Sequence, residues 1–536
     1  PLSPDAERLV VERAAGNPLF VEELVLALRD QEITGADAAG LRTFVPTSLF
    51  GLILSRIDRL GPELASTLKY ASVLGPEFPT RIFDAVVSAV DDERVSRKHL
   101  IELERRGILA SRFEQRDEVF AFRQVIVQGA VYSTILRENK RVLHKLAGEA
   151  IERLYAGRLD AYVAPLFQHF SQTDEVERIV HYARTGGSRA VALGAFHDSI
   201  EMLLMAETLR SRLQNDEPRQ AAKALFDLGT ALFWMGRVRD AGERAEQAEQ
   251  MLSGDDRPKS LTLRARACLL LAEAEYQQAR FADSASRLAA AEELFRRAER
   301  PFDAAQAQCT LGFQLRAQGR IEEGLTLAKK GWETLKDSEN LPAVVRAGHD
   351  LGNILRDVGD LLASLEVFER AIAAGEELRR SGNSAAALWG QLAARSGRAM
   401  TYAAMGRLDE AIADQRAVYA LSVQENNPLG QVSAGFHLAR HLAEKGDLAA
   451  AEHAALRSLK LCSSLGLPAR EMKCRMLLAQ IEERRGRKGE VLRHLDAAEA
   501  LARHSQVSDD AWLDVAEQLL AALRVLNGSS DRAEAL

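Results

Sequence analysis

The stretch 228–248, LGTALFWMGRVRDAGERAEQA, places a small residue at Gly229, a glycine seven positions later at Gly236, and small residues again at Ala241 and Ala248. The same skeleton returns down the chain. The position of Gly236 is matched at Gly194, Ala279, Gly319, Gly359, Gly406, Gly446 and Gly486, at intervals of 42, 43, 40, 40, 47, 40 and 40 residues. Seven of the eight residues are glycine. A tight turn between two helices needs a left-handed residue after the first helix, and glycine adopts that conformation without strain. Arg or Asp follows most of these turns: Arg237, Arg280, Arg320, Asp360, Arg407, Asp447 and Arg487.

Seven residues before the turns stand Gly229, Ala272, Gly312, Gly352, Ala399, Ala439 and Ala479. Twelve residues after them stand Ala206, Ala248, Ala291, Gly331, Ala371, Ser458 and Ala498, with Val418 the exception. Small side chains at fixed positions let paired helices approach closely, and a hairpin that cannot bury its apolar face alone stacks on its neighbours. The pattern resembles the tetratricopeptide repeat over roughly 340 residues, in its small-residue and turn skeleton, with a period nearer 40 than the usual 34. Tyr276, Phe281, Trp389 and Tyr402 partly fill the aromatic positions of that repeat. The resemblance implies an all-α fold: a tetratricopeptide-like right-handed α-solenoid of about eight hairpins over residues 156–510. Residues 511–536 read as an amphipathic capping helix (511–526) and a frayed tail.

Composition agrees with helices. Apolar residues are 47% of the 536, aromatic residues only 6%, and the apolar share leans on Ala and Leu, which rank highest in helix propensity. The balance of 70 basic and 77 acidic side chains gives a net charge of −7, with no overall pull toward nucleic acid or anionic membrane. Cys268, Cys309, Cys462 and Cys474 form no C-x-x-C pair and read as reduced core thiols of a cytoplasmic protein. No run of about 18 apolar residues marks a membrane span.

The first 155 residues lack the 40-residue period and carry Pro46, Pro62, Pro76 and Pro79. A helix is expected from Asn17-Pro18 onward: Asn17 caps it, Pro18 fits its first turn, and Glu22 and Glu23 lie near its positive end. Further helices are expected through Ile53, Ile57 and Leu60, over 62–73 and over 95–106, the last ending at Gly107. Segments 108–110 and 119–122 are expected to pair as strands around a polar loop, and 125–154 to be helical. Three helices followed by a two-stranded ribbon outline a winged helix.

The order GNPLFVEEL at 16–24, then VPTSLFGLILSRIDRL at 45–60, then the segment from Phe122-Arg123 to Tyr132, then LHKLAGEAIE at 143–152 resembles the C-terminal region of bacterial signal-transduction ATPases with numerous domains (the STAND class, P-loop ATPases of the AAA type). It is most similar to those in which a class III adenylate or guanylate cyclase domain precedes the ATPase. The resemblance implies four regions: the end of an ATPase helical lid over 1–40, a winged-helix domain over 41–155, the repeats over 156–510 and the cap beyond. It implies that the chain, starting at Pro1 without an obvious domain start, continues a longer protein holding ATP or ADP with magnesium. Gly16 and Pro18 match the lid Gly-x-Pro motif, whose proline packs against adenine. Gln124 stands where similar winged helices often carry a phosphate-sensing histidine; glutamine donates a hydrogen bond but carries no charge.

No phosphate-cradling G-x-x-x-x-G-K-[ST] loop occurs, so the chain alone is not expected to hydrolyse ATP, while the parent protein is expected to be an ATPase and in the cyclase-fused type a cyclase. Arg97, Lys98, Arg105 and Arg106 of the expected third helix are interleaved with Glu102 and Glu104, mixed charge that suits a solvated face or intramolecular packing better than DNA. His437 and His441 share a helix face at a spacing zinc accepts, without a third ligand nearby in sequence; no metal and no catalytic residue is assigned. The expected role is a sensor. A protein or peptide, or a small ligand, would bind the concave face of the solenoid and bias a nucleotide-binding module, with no nucleic acid and no membrane involved. Two alternatives share parts of this layout: a transcription regulator of the maltose-activator type, whose terminal helix-turn-helix is not evident in 511–536, and a free-standing scaffold.

Overall fold

The computed structural model describes residues 49–504 apart from Asp91, Glu93, Gln115, Arg116, Ala279 and 381–383, together with Val21, Leu24 and Val25. The expected lid fragment with Gly16 and Pro18, and the expected capping helix over 511–526, lie outside the described residues. The chain forms two compact units, one of residues up to Gly186 plus Leu204–Asn215, the other of Gly187–Leu203 and everything from Asp216 onward.

In the first unit, α1 (Leu49–Asp58) and α2 (Pro62–Leu74) lead into β1 (Glu77–Pro79), α3 (Thr80–Val90), α4 (Arg97–Arg105), β2 (Leu109–Glu114) and β3 (Asp117–Phe122). The sheet is antiparallel in the order β1-β3-β2. The ribbon expected from the sequence is present, with Leu109 opposite Phe122. The structure adds a third strand, Phe78 opposite Phe120, and the helix α3. Strand β1 is only three residues long and ends at Pro79, too short to show an alternating pattern, and a proline that lacks its amide is tolerated at a sheet edge. Phe78 stacks near Phe120 at 6.3 Å and Phe83 of α3 at 6.0 Å, and these rings form one core with Leu68, Leu100, Leu103 and Leu109. Helix α4 stops at Gly107 (φ +72°), where the Ile108 amide reaches back to the Leu103 carbonyl at 3.0 Å and turns the chain into β2. Then follow α5 (Val125–Ser133), α6 (Arg137–Leu154), a 3-10 turn (Ala156–Tyr162), α7 (Val163–Phe170) and α8 (Val176–Leu193).

From α8 onward the chain is an α-solenoid of tetratricopeptide-like hairpins. α8 pairs with α9 (Phe196–Leu209), and the later hairpins are α10/α11 (Pro218–Trp234, Val238–Met251), α12/α13 (Pro258–Gln277, Phe281–Arg297), α14/α15 (Pro301–Ala317, Ile321–Leu335), α16/α17 (Leu341–Asp357, Leu361–Arg380), α18/α19 (Ser384–Ala404, Leu408–Gln424), α20/α21 (Pro428–Lys445, Leu448–Leu465) and α22/α23 (Pro468–Arg484, Lys488–His504). Every expected turn glycine falls between the two helices of a hairpin; the eighth position, Ala279, lies outside the described residues. The seven turn glycines have φ between +73° and +96°.

The residue after the turn closes it. In each hairpin its backbone N–H bonds the carbonyl five residues back, as Arg237 to Leu232 at 2.9 Å, Arg320 to Leu315 at 3.0 Å and Asp447 to Leu442 at 3.0 Å, the Schellman closure of a helix end. Its side chain then serves the next helix. Asp447 accepts from the Ala450 amide at 3.1 Å as a cap. In three hairpins where the residue is arginine, an acid three positions on takes its charge near the helix's positive end: Arg237 with Asp240, Arg320 with Glu323, Arg407 with Glu410.

The small residue seven before the turn meets the residue five after it, the place of Ala241 in the repeat, which is small in every hairpin but the last, where it is Val491. Ser199, Ser284 and Ser364 donate to the carbonyls of Gly187, Ala272 and Gly352, and Gly312 lies against Gly324 so closely that a Cβ on either would come within 2.3 Å of the other's carbonyl oxygen. Among the described residues no helix is long and apolar enough to cross a membrane.

Candidate functional site: the inner face of the array

The first helices of the hairpins lie closer together than the second. α10 touches α12, α14 touches α16, α16 touches α18, and α18 and α22 each touch α20, whereas no pair of second helices makes comparable contact. A stack whose first helices crowd is curved with those helices inside. The inner face of residues 216–504 is therefore built from α10, α12, α14, α16, α18, α20 and α22.

Part of this face is an aromatic ladder across three repeats. Phe313 of α14 lies 6.3 Å from Tyr276 of α12 and 5.8 Å from His349 of α16, and the Arg316 guanidinium sits 4.4 Å over the Phe313 ring. All four side chains are half-buried. Beneath them runs a polar network. Arg346 donates to Glu273 at 3.1 Å and lies 3.8 Å from Asp350; burial works against the Arg346 charge, and Asp350 and Glu273 outweigh it and raise its pKa. Asp350, only 1% exposed, also accepts from Thr310 at 2.8 Å. Asp357 accepts from Arg316 at 2.5 Å and from Arg356 at 2.9 Å. A buried carboxylate so satisfied is stable and fixes the cations around it.

Further along, α20 carries His437, Arg440, His441 and Glu444. His441 is buried, with Nδ1 3.4 Å from Glu444. Arg440 reaches Glu444 only at 3.9 Å, and its Nη2 abuts the Met400 sulfur of α18. Burial, followed by Arg440, His441, Arg356 and Lys473, pushes the His437 pKa down to about 3. The zinc-compatible spacing of His437 and His441 is thus occupied by neutral, packed rings, and among the described residues no three His, Cys, Asp or Glu side chains gather as a metal site needs.

Of the three expected nucleotide contacts, Gly16 and Pro18 lie outside the described residues. Gln124 is half-buried in extended conformation just ahead of α5, in the first unit. Of the cations on and just past α4, Arg97 pairs with Glu118 at 2.5 Å and Arg106 with Glu102 at 2.9 Å, both arginines exposed, as the mixed charge of the segment implies. The four cysteines are free and buried, and burial raises the Cys268 thiol to about 11, far from thiolate reactivity at neutral pH. Of the expected aromatic positions, Tyr276 packs edge-on to Phe281 at 5.3 Å and Tyr402 lies under Arg407 at 4.5 Å; the Trp389 side chain lies outside the described set. The sequence reading passed over Phe313, Arg316, Arg346 and His349, because a charged or aromatic residue on a first helix shows no sign of which side of the stack it faces.

No family model and no curated protein matches this sequence. Among solved structures, a Signal Transduction ATPase with Numerous Domains with a tetratricopeptide repeat sensor from Pyrococcus horikoshii is similar at 13% identity and TM-score 0.46, over 98% of this chain and 72% of that one. A Rap protein complexed with Competence and Sporulation Factor is similar at 13% identity and TM-score 0.46, over 65% and 93%. The apo quorum sensor NprR from B. thuringiensis is similar at 14% identity and TM-score 0.45, over 66% and 96%.

Proposed function

We propose that residues 187–504 are the sensing array of a signal-transduction ATPase and that their inner face binds an extended segment of a partner protein or a peptide. The observation that carries the reading is the ladder of Tyr276, Phe313 and His349 with Arg316 over Phe313, half-open on the inner side of three successive repeats. Rings and guanidinium groups held rigidly in a groove are the residues that anchor protein interfaces, and the polar network below holds them in place before any partner arrives, which lowers the ordering cost of binding.

On this reading residues 1–40 end an ATPase lid and 41–155 are a winged helix; the helix-strand-helix-helix-ribbon order of α2 to β3 supports the latter. These would pass the binding event to an upstream nucleotide-binding module, in the cyclase-linked type controlling cyclic-nucleotide synthesis, inside the cytoplasm. ATP or ADP with magnesium belongs to that module. The sequence has no phosphate-cradling loop, and of the expected contacts only Gln124 lies among the described residues, so no nucleotide chemistry is assigned to them.

The test is selection of a random peptide library on phage against the purified chain. Saturable binders that weaken about tenfold on Phe313→Ser or Arg316→Gln are expected, a loss of about 1.4 kcal/mol. Binders indifferent to both substitutions would place recognition off this face and end the proposal.

A further inference from the structure

The arginines of the inner face are not alike. Arg316, Arg346 and Arg398 each lie within 3.1 Å of a carboxylate, from Asp357, Glu273 and Asp414. Arg440 has no such partner. Its nearest carboxylate, Glu444, is 3.9 Å away, beyond a charge-assisted hydrogen bond, and Glu444 also attends His441. Its Nη2 meets the Met400 thioether, a weak acceptor, and its buried Nε has no hydrogen-bond partner. The neighbouring His437 Nδ1 is likewise shut off from solvent without a partner.

The surroundings add positive charge. Arg356 of α16 acts on both Arg440 and His437, and the exposed Lys473 of α22 acts on His437. Burial first, with Arg356 adding to it and Glu444 opposing, lowers the Arg440 pKa. The groups that act on this spot are Arg356 of α16, His437, Arg440, His441 and Glu444 of α20, and Lys473 of α22, and Arg356 is itself bound to Asp357 at 2.9 Å. With both histidines neutral, the three cations Arg356, Arg440 and Lys473 share the carboxylates of Glu444 and Asp357, in a chain whose net charge is −7. A half-buried guanidinium with no carboxylate at hydrogen-bond distance is a poor arrangement unless an anion completes it.

We propose that the inner face between α16 and α22 is a subsite for an acidic side chain or terminal carboxylate of a bound peptide, gripped by Arg440 and Lys473 with Arg356 beside them. The proposal rests on the peptide-binding reading above and adds the charge of the ligand and its place on the array. The aromatic ladder lies on α12 to α16 and the cationic cluster on α16 to α22, so one extended segment would set an apolar residue on Phe313 and an acidic one near Arg440.

The phage pool decides it. Sequenced before and after selection on the full chain, the pool should gain Asp and Glu. Individual binders synthesised with Asn or Gln at those positions should lose about tenfold in affinity. Lys473→Gln, at an exposed position, should weaken them severalfold, and Arg440→Gln, checked for unchanged circular dichroism, about tenfold. Arg440→Glu should turn the selected pool toward Lys and Arg. Should Arg440→Gln fail to fold, Lys473→Gln and Lys473→Glu carry the test. Binders that depend on Phe313 but show no acidic enrichment, or that ignore both Arg440 and Lys473 variants, would overturn this proposal and leave the peptide-binding reading standing. A pool without any inner-face binder overturns both.

Discussion

Two kinds of glycine recur in the array, and they are required for different reasons. Gly319 sits at φ +75° with open space where a Cβ would go, so alanine there meets only backbone strain, about 1–2 kcal/mol for a left-handed residue. Gly312 is helical, and its Cβ would lie 2.3 Å from the Gly324 carbonyl oxygen. Backbone cannot yield as a side chain can, so Gly312→Ala must push α14 and α15 apart, at about 1–3 kcal/mol. Denaturant titration should therefore rank Gly312→Ala as the costlier change, with Gly319→Asn milder than Gly319→Ala because asparagine tolerates the left-handed region. A Gly312→Ala protein as stable as the parent would mean the two helices do not cross so closely. The turn glycines were legible in the sequence because φ > 0 admits few other residues. The partner of Gly312 at Gly324 was less so, because alanine, serine and valine also fill that place in other repeats: Ala241, Ser284, Ser364, Ala411, Ala451 and Val491.

Between elements, the least legible feature is a buried histidine pair in the first unit. Tyr132 of α5 lies 2.9 Å from His144 Nε2 of α6, and His144 Nδ1 lies 2.9 Å from His169 Nδ1 of α7. Two neutral arrangements satisfy both bonds: the tyrosine O–H donates to His144, whose Nδ1–H donates to His169, or the donation runs the other way from His169 to the tyrosine oxygen. Burial first, then Lys140, lowers the His144 pKa to about 4, and burial first, then His144, lowers His169 to about 3. Both values lie below the unfolded value of 6.5, so the unfolded chain takes up protons that the folded chain refuses. The pair costs nothing above pH 6.5, and stability should fall as pH drops from there toward about 4, by roughly 1.4 kcal/mol per pH unit for each histidine that titrates. Denaturant midpoints at pH 7.5 and 5 should differ less for the double variant His144→Phe/His169→Phe than for the parent. Equal pH dependence in both would mean the pair is not buried neutral. Single histidines 25 residues apart gave no sequence signal of a pair. Likewise β1 and α3 escaped the sequence reading, since a three-residue strand has no period and the helix opens directly after it at Thr80, whose hydroxyl is spent on the Glu118 carbonyl across the sheet at 2.8 Å.

Across the molecule, what the sequence made plain is the period, and what it hid is the direction of the curve. Forty-residue spacing implies stacking, but only the packing of first helix on first helix tells which side chains face inward, and so which of the many charged residues are candidates for recognition. The same stacking governs how the array fails. Each hairpin of residues 216–504 packs on the hairpins before and after it and on little else, so its stability is a sum of local terms and neighbour interfaces. A lesion should then spread by contact and fade with distance. Gly331 shows where to place one: its Cβ would lie 2.5 Å from the Ala305 carbonyl and 2.6 Å from the Cys309 sulfur, so Gly331→Val strikes α14 and α15 at their crossing. Amide hydrogen exchange of this variant should rise most in α14 and α15, less in α12, α13, α16 and α17, and least in α22 and α23. Because the aromatic ladder spans α12 to α16 while Arg440 and Lys473 sit on α20 and α22, the lesion should also loosen the Phe313 contact of a bound peptide before the acidic one. Exchange that rises equally from α10 to α23 would instead mark the array as one cooperative body, in which a ligand seated at any repeat steadies them all.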